Sequence, residues 1–161
     1  MTATFPVAET GAFDAVAASY EAALERGLCL AGEGPEYFAE RRIAWTARVL
    51  EGALVRRVLD FGCGVGLAAP MLANQFAASE AWGFDPSTAS IERAKQDRPE
   101  PQFRWTADAA ELPRDACDLV YCNGVFHHIP PDDRAAALAI VERALRPRGW
   151  FALWENNPWN P

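Results

Sequence analysis

Basic residues are scarce in this sequence. Its 161 residues carry 15 Lys and Arg against 22 Asp and Glu, a formal net charge of −7. That balance argues against a duplex nucleic acid partner, which requires a basic face to neutralise phosphates. It leaves room for a small cationic ligand. No apolar run approaches the ~18 residues of a membrane span, so no membrane partner is expected. Met1 to Gly11 has neither a basic start nor an apolar core, and no signal peptide is expected. Cysteine is sparse too. Cys29, Cys63, Cys117 and Cys122 show no Cys-x-x-Cys spacing, and no His/Cys cluster has zinc spacing. They read as free thiols in a reducing cytoplasm, and no metal is expected. Internal repeats and low-complexity runs are absent.

Hydrophobic residues make up 50% of the chain, so a packed single domain is expected rather than disorder. One stretch organises it: Val58-Leu59-Asp60-Phe61-Gly62-Cys63-Gly64-Val65-Gly66. An apolar run ends in an acid, and glycines follow at alternate positions. This reads as a buried strand breaking into a tight loop that opens a helix. Glycine lets the chain turn sharply and lets a ligand approach where a Cβ would collide.

Upstream, Phe13, Val16, Ala17, Tyr20 and Leu24 recur at helical spacing until Gly27. A second helix opens at Pro35, with Phe38, Trp45 and Val49 as its apolar stripe, widened by Ile43 and Leu50. From residue 55, strands and helices alternate. Strands are expected at Arg57 to Phe61, Ala81 to Asp85, Gln102 to Thr106, Cys117 to Cys122 and Trp150 to Trp154. Helices are expected from the glycine loop to Phe76, from Pro86 and Ser87 to Arg98, and from Pro131 with Leu138, Val141 and Leu145 inward. Pro147-Arg148-Gly149 is expected to turn the chain into the last strand. The tail from Glu155 to Pro161 is expected to be irregular. This alternation predicts a Rossmann-like α/β fold, a doubly wound, mostly parallel sheet with helices on both faces. Such sheets bind ligands beyond the carboxyl ends of their strands, where strand order reverses.

Asp85 ends the second strand, where a carboxylate can accept from both hydroxyls of a ribose held at the glycine loop. The glycine pattern alone is ambiguous. Read from Gly64, with Gly66 and Ala69, it also meets the dinucleotide pattern. Asp60 tips the balance, because an acid just before the loop repels a pyrophosphate at the helix N-terminus. A cation is favoured there instead.

Asp60, Gly62, Gly64 and Gly66 together resemble the first motif of the class I S-adenosylmethionine-dependent methyltransferases, of the small-molecule type. The resemblance covers about residues 55–155. It implies S-adenosylmethionine as cofactor, with contacts at Asp60, Gly62, Cys63 and Gly64, and with Asp85 and Pro86 at the ribose. Thr106 to Pro113 resembles the family's adenine loop, placing Asp108 at the exocyclic amine and Ala109 at the ring. Asp118 to Ile129 resembles the fourth-strand motif, which places Asn123 and Gly124 beside the methionine portion. Tyr20 resembles a residue of an N-terminal helix that lids the cofactor, and Arg41 is a candidate partner for the cofactor carboxylate. The implied division is a helical lid segment over 1–54 and a cofactor-binding domain over 55–161. The last two strands of the family's usual seven are not found before the sequence ends.

The implied reaction is methyl transfer to a small-molecule acceptor by in-line displacement. No residue type fixes the acceptor atom, a catalytic base or the oligomeric state. His128 is a candidate base and equally a loop histidine bonded to backbone. Two alternatives stay open: a non-catalytic S-adenosylmethionine-binding or partner subunit of the same fold, and a NAD-dependent oxidoreductase.

Overall fold

The computed structural model describes residues 34–155. The expected first helix with Tyr20, and the tail beyond Glu155, lie outside them. Helix α1 (Pro35–Val49) has its proline in the first turn, where a missing N–H breaks no helical bond. Its buried face is Ala39, Ile43, Thr46 and Leu50. The expected stripe is wrong in part, since Trp45 is 55% and Val49 67% exposed. Two apolar stripes at helical spacing compete on this helix. The one whose Ile43 and Leu50 meet Leu72 and Val58 wins the core.

Strand β1 (Arg57–Phe61) leads through the glycine loop into α2 (Ala68–Phe76). Then come β2 (Glu80–Phe84), α3 (Thr88–Asp97), β3 (Phe103–Thr106), β4 (Cys117–Asn123), α4 (Arg134–Ala144) and β5 (Leu145–Trp154). Ser87 caps α3 by accepting from Ser90 N at 3.2 Å, so the helix starts at Thr88 rather than at Pro86. The expected start at Pro131 is a 3₁₀ turn, Pro131–Asp133, with α4 beginning after it. Helix α4 buries Ala137, Ile140, Val141 and Ala144, whereas Leu138 is 45% exposed. Leu145 opens β5 instead of closing α4.

The five strands lie in the order β3-β2-β1-β4-β5, and every pairing is parallel. The chain steps outward from β1 to β3, then crosses to the far side of β1 for β4. The strand order therefore reverses between β1 and β4, which opens a crevice at their carboxyl ends. Alternation along β1 and β4 divides the core in two. Val58, Leu119 and Tyr121 pack with Ile43, Ala69 and Leu72 of α1 and α2. Leu59, Phe61, Val120 and Cys122 pack with Ala137, Ile140 and Val141 of α4.

Pro147-Arg148-Gly149 does not precede β5 but bulges within it. The register jumps from Cys117↔Leu145 to Leu119↔Trp150, and Arg148 takes φ +67°. At the amino ends, Asp118 accepts from Arg56 N and Arg57 N, both at 2.8 Å, and pairs with Arg146. Burial pushes its carboxyl up, but those two N–H groups and the guanidinium outweigh burial and hold it below the usual range. This acid ties three strand starts together, at the opposite end from the crevice.

Candidate active site

The glycine loop crosses the end of β2. Gly62 N and Cys63 N donate to Phe84 O at 2.7 and 3.0 Å, and Gly64 N donates to Asp85 Oδ2 at 2.9 Å. Asp85 Oδ1 accepts from Ser87 N at 2.9 Å. Loop and acid therefore share one side of the crevice, in direct contact. Pro86 follows Asp85 at the partly buried rim.

The three loop glycines do different work, although all take positive φ. A Cβ on Gly62 would stand 2.3 Å from Val125 Cγ2, and one on Gly66 would stand 2.7 Å from the Trp105 ring. Those two make room for side chains from the β4 and β3 ends. Gly64 has nothing within 4 Å of such a Cβ. It is the open point of the loop, next to Asp85, where another molecule can lie against backbone.

Asp60 lies beneath the loop and is 3% exposed. Its register partners are Gly83 on β2 and Tyr121 on β4. Asp60 Oδ2 and the Tyr121 hydroxyl are both buried without a hydrogen-bond partner. Burial first, and the Asp85 carboxylate second, push the Asp60 carboxyl up to about 7, against a backbone hydrogen bond from Ala69. A buried carboxylate with an orphaned oxygen, beside a second carboxylate, attracts a cation. The same surroundings, burial foremost and then Asp60 and Asp85, hold the Cys63 thiol well above its usual range and keep it protonated.

Beyond β3, Thr106 is buried, and its hydroxyl donates to Glu111 Oε2 at 2.5 Å and accepts from Asp108 N at 3.0 Å. Asp108 Oδ1 caps the 3₁₀ turn Ala109–Glu111 by accepting from Ala110 N at 2.8 Å. Arg143 holds the Ala109 carbonyl. Asp108 thus shapes its own loop while its side chain stays exposed.

At the end of β4, Asn123 Oδ1 accepts from Arg42 Nη1 at 2.5 Å. Arg41, the candidate partner for the cofactor carboxylate, lies over the Tyr37 ring at 5.9 Å. Adjacent helix positions point about 100° apart, so the two arginines make different contacts. Gly124 takes φ +70° and donates to Trp154 O at 2.8 Å. Glu155, just past β5, accepts from Val125 N at 3.1 Å and Phe126 N at 2.7 Å, and meets His127 Nδ1 at 2.7 Å. Read from sequence as irregular tail, it clamps the loop after β4. Its signal is the one Asp60 and Asp85 share, an acid at a carboxyl strand end. The His127 and His128 rings lie 3.9 Å apart between centroids, tilted by 45°. Partial burial, then His127, pull His128 below its usual pKa, against Glu155.

Asp60, Asp85, Asp108 and Asn123 thus stand at the carboxyl ends of four adjacent strands, around the glycine loop. Among the described residues, no cluster of three or more His, Cys, Asp or Glu is placed to hold a metal ion.

This is the architecture of a doubly wound nucleoside-binding domain with a cation-attracting acid under its glycine loop. Residues 59–153 match the family model described as a methyltransferase domain, and the chain belongs to that family of class I S-adenosylmethionine-dependent methyltransferases. It is 34% identical over 98 residues to trans-aconitate 2-methyltransferase of Variovorax paradoxus, covering 60% of this chain and 37% of that one. It is 30% identical over 125 residues to carboxy-S-adenosyl-L-methionine synthase of Psychrobacter arcticus, covering 73% and 48%. A TehB-like SAM-dependent methyltransferase from Corynebacterium glutamicum superposes with TM-score 0.61 at 28% identity, covering 86% and 71%. The chain spans less than half the length of the two curated relatives.

Proposed function

We propose that this protein transfers a methyl group from S-adenosylmethionine to a small-molecule acceptor. The observation that carries the reading is the contact between Gly64 N and Asp85 Oδ2 at 2.9 Å, on the open side of the loop and beside the orphaned Asp60 oxygen. A ribose fits against Asp85, and an ammonium group fits the field of Asp60. The residues present suit S-adenosylmethionine, which carries an ammonium, a sulfonium and no phosphate. They suit a dinucleotide less well, because Asp60 just before the loop repels its pyrophosphate.

In this reading Asp85, with Pro86 at the rim, binds the ribose. Asp108 and the backbone at Ala109 face the adenine. Gly62, Cys63 and Gly64 present backbone to the cofactor, while Asn123 and Gly124 border its methionine end. Tyr20 belongs to the covering segment 1–54, and 55–161 forms the cofactor-binding domain. When bound, S-adenosylmethionine supplies an activated methyl on a sulfonium. The chain then mainly orients and dries the site, which is a proximity effect. Val125 and Phe126, held by Glu155, wall the crevice. His128, kept neutral at pH 7 by its lowered pKa, takes the proton from an acceptor that must lose one. The buried free thiols Cys63, Cys117 and Cys122 suit a cytoplasmic setting. No described helix is long and apolar enough to cross a membrane.

Calorimetric titration with S-adenosylhomocysteine and NADH tests the cofactor. Binding of the first alone supports the reading, and binding of NADH alone overturns it. Turnover is assayed with trans-aconitate first, the acceptor in the name of relatives.

A further inference from the structure

The sheet ends on two unlike edges. Strand β3 has four residues and carries the exposed Arg104. Shortness and charge guard an edge against pairing with another strand. Strand β5 has ten residues, and none of them is buried. Its amino half is guarded too, by Arg146, Pro147 and the bulge at Arg148. Its carboxyl half, Trp150-Phe151-Ala152-Leu153-Trp154, is not. That stretch holds no charge and no proline, and its register against β4 is regular. Trp150 is 50% and Leu153 46% exposed. No described strand pairs with the outer side of β5.

The backbone of this stretch faces two ways. Trp154 O accepts from Gly124 N at 2.8 Å, so Trp154 turns toward β4. In a parallel ladder, alternate residues turn both backbone groups to the same neighbour. Ala152 and Trp150 therefore face β4 as well, whereas Phe151 and Leu153 direct N–H and C=O outward. The side chains alternate between the sheet faces. Phe151 packs with the α4 cluster, and Ala152 and Trp154 pack with the α1 and α2 cluster.

In apolar character the stretch reads the same in both directions, with Ala152 at its centre. A second copy laid antiparallel about Ala152 sets Phe151 against the partner's Leu153, and Leu153 against the partner's Phe151. These are the residues with outward backbone groups, and each such pair exchanges both of its N–H···O bonds. On the other face Trp150 meets the partner's Trp154, which covers its exposed ring. Cross-strand pairs of aromatic and apolar side chains stabilise antiparallel sheets. Centring on Phe151 would instead draw Gly149 of the bulge into the ladder. Centring on Leu153 would draw in Glu155, which holds the loop after β4.

We propose that the outer edge of β5 is a homodimer interface, in which residues 150–154 of two copies pair antiparallel about a two-fold axis at Ala152. Such an interface is isologous, so it consumes both edges and closes at two copies. It does not depend on the methyltransferase reading. It does set the partner's Trp150 beside Trp154, the register partner of Asn123 at the crevice.

The test is sedimentation velocity on the full chain over a dilution series. The unaltered protein is expected to pass from dimer to monomer on dilution. Leu153→Lys enters the interface twice and should weaken the dimer at least about tenfold. Leu138→Lys, on the exposed face of α4, should not. Cross-linking reads the register. At the axis the two Ala152 residues form a non-hydrogen-bonded pair, with Cα atoms about 4.5 Å apart, which is within disulfide range. Ala152→Cys should therefore give a disulfide-linked dimer under mild oxidation, and Leu138→Cys should not. A monomer at every concentration overturns the proposal. So does a dimer that Leu153→Lys leaves intact, or one in which Ala152→Cys cross-links no more than Leu138→Cys.

Discussion

Asp60 and Tyr121 are register partners across β1 and β4, and each keeps a buried oxygen without a hydrogen-bond partner. Neither group is easily ionised there. Burial first, then Asp60, push the Tyr121 phenol above its usual range, although Arg42 pulls the other way. This pair is a polar site built into an apolar core, and two buried oxygens without partners cost stability.

The pH dependence follows from Asp60. Its carboxyl rises from 3.8 to about 7 on folding. Between those values the folded chain holds a proton that the unfolded chain has released, so this residue's contribution to stability falls as pH rises through the window. The penalty above pH 7 is of order 4 kcal/mol as an upper figure. Asp118 and Glu155 act oppositely, because their depressed values give stability that is lost as pH falls through the folded pKa. Asp60→Asn isolates the first effect. In thermal melts without ligand, its advantage over the unaltered protein should grow between about pH 5 and pH 8. Its S-adenosylmethionine affinity should be lower, and should lose the rise with pH that the unaltered protein shows.

Asp85 carries the second prediction. Asp85→Ala should weaken S-adenosylmethionine binding by about 1–3 kcal/mol, the scale of hydrogen bonds to a charged group. It also releases Gly64 N and Ser87 N, so loop order is followed by amide exchange. Unchanged affinity by calorimetry would remove Asp85 from the ribose site.

The glycines separate structure from binding. Gly62→Ala must displace Val125 from a 2.3 Å contact at φ +79°, and should lower stability by about 2 kcal/mol or more. Gly64→Ala adds a methyl to open space at φ +51°. It should cost about 1 kcal/mol of stability but reduce cofactor affinity more than that. Chemical denaturation and calorimetry on both variants give the comparison. Equal binding losses in both would show that Gly64 has no special place at the ligand.

Much of this was legible in the sequence because local pattern and tertiary fate agree. Val58 to Phe61 and Cys117 to Cys122 are apolar runs that pack on both sheet faces, and the acids at strand ends mark the crevice. The reading failed where two local patterns compete. On α1, Trp45 and Val49 repeat as well as Ile43 and Leu50 do, and only the packing of α2 decides between them. The Pro147-Arg148-Gly149 bulge was read as a turn because such residues serve both. Glu155 shares the strand-end position of Asp60 and Asp85, but its partners Val125, Phe126 and His127 follow another strand, and local pattern does not reveal them.

Glu155 sets the last prediction, because one carboxylate serves two purposes. It accepts from Val125 N and Phe126 N, and it holds His127. Glu155→Ala should therefore raise amide exchange at Val125 and Phe126, and cost about 1–3 kcal/mol through the buried donors left unpaired. The same carboxylate holds the His128 pKa up against burial and His127. Removing it lets that pKa fall further. If neutral His128 takes the acceptor's proton, the acid limb of the rate profile moves to lower pH in Glu155→Ala. A structural clamp alone would lower the rate across all pH values and leave the limb in place. The pH profile of methyl transfer, measured beside His128→Ala, therefore tells a positioning role for Glu155 from an electrostatic one.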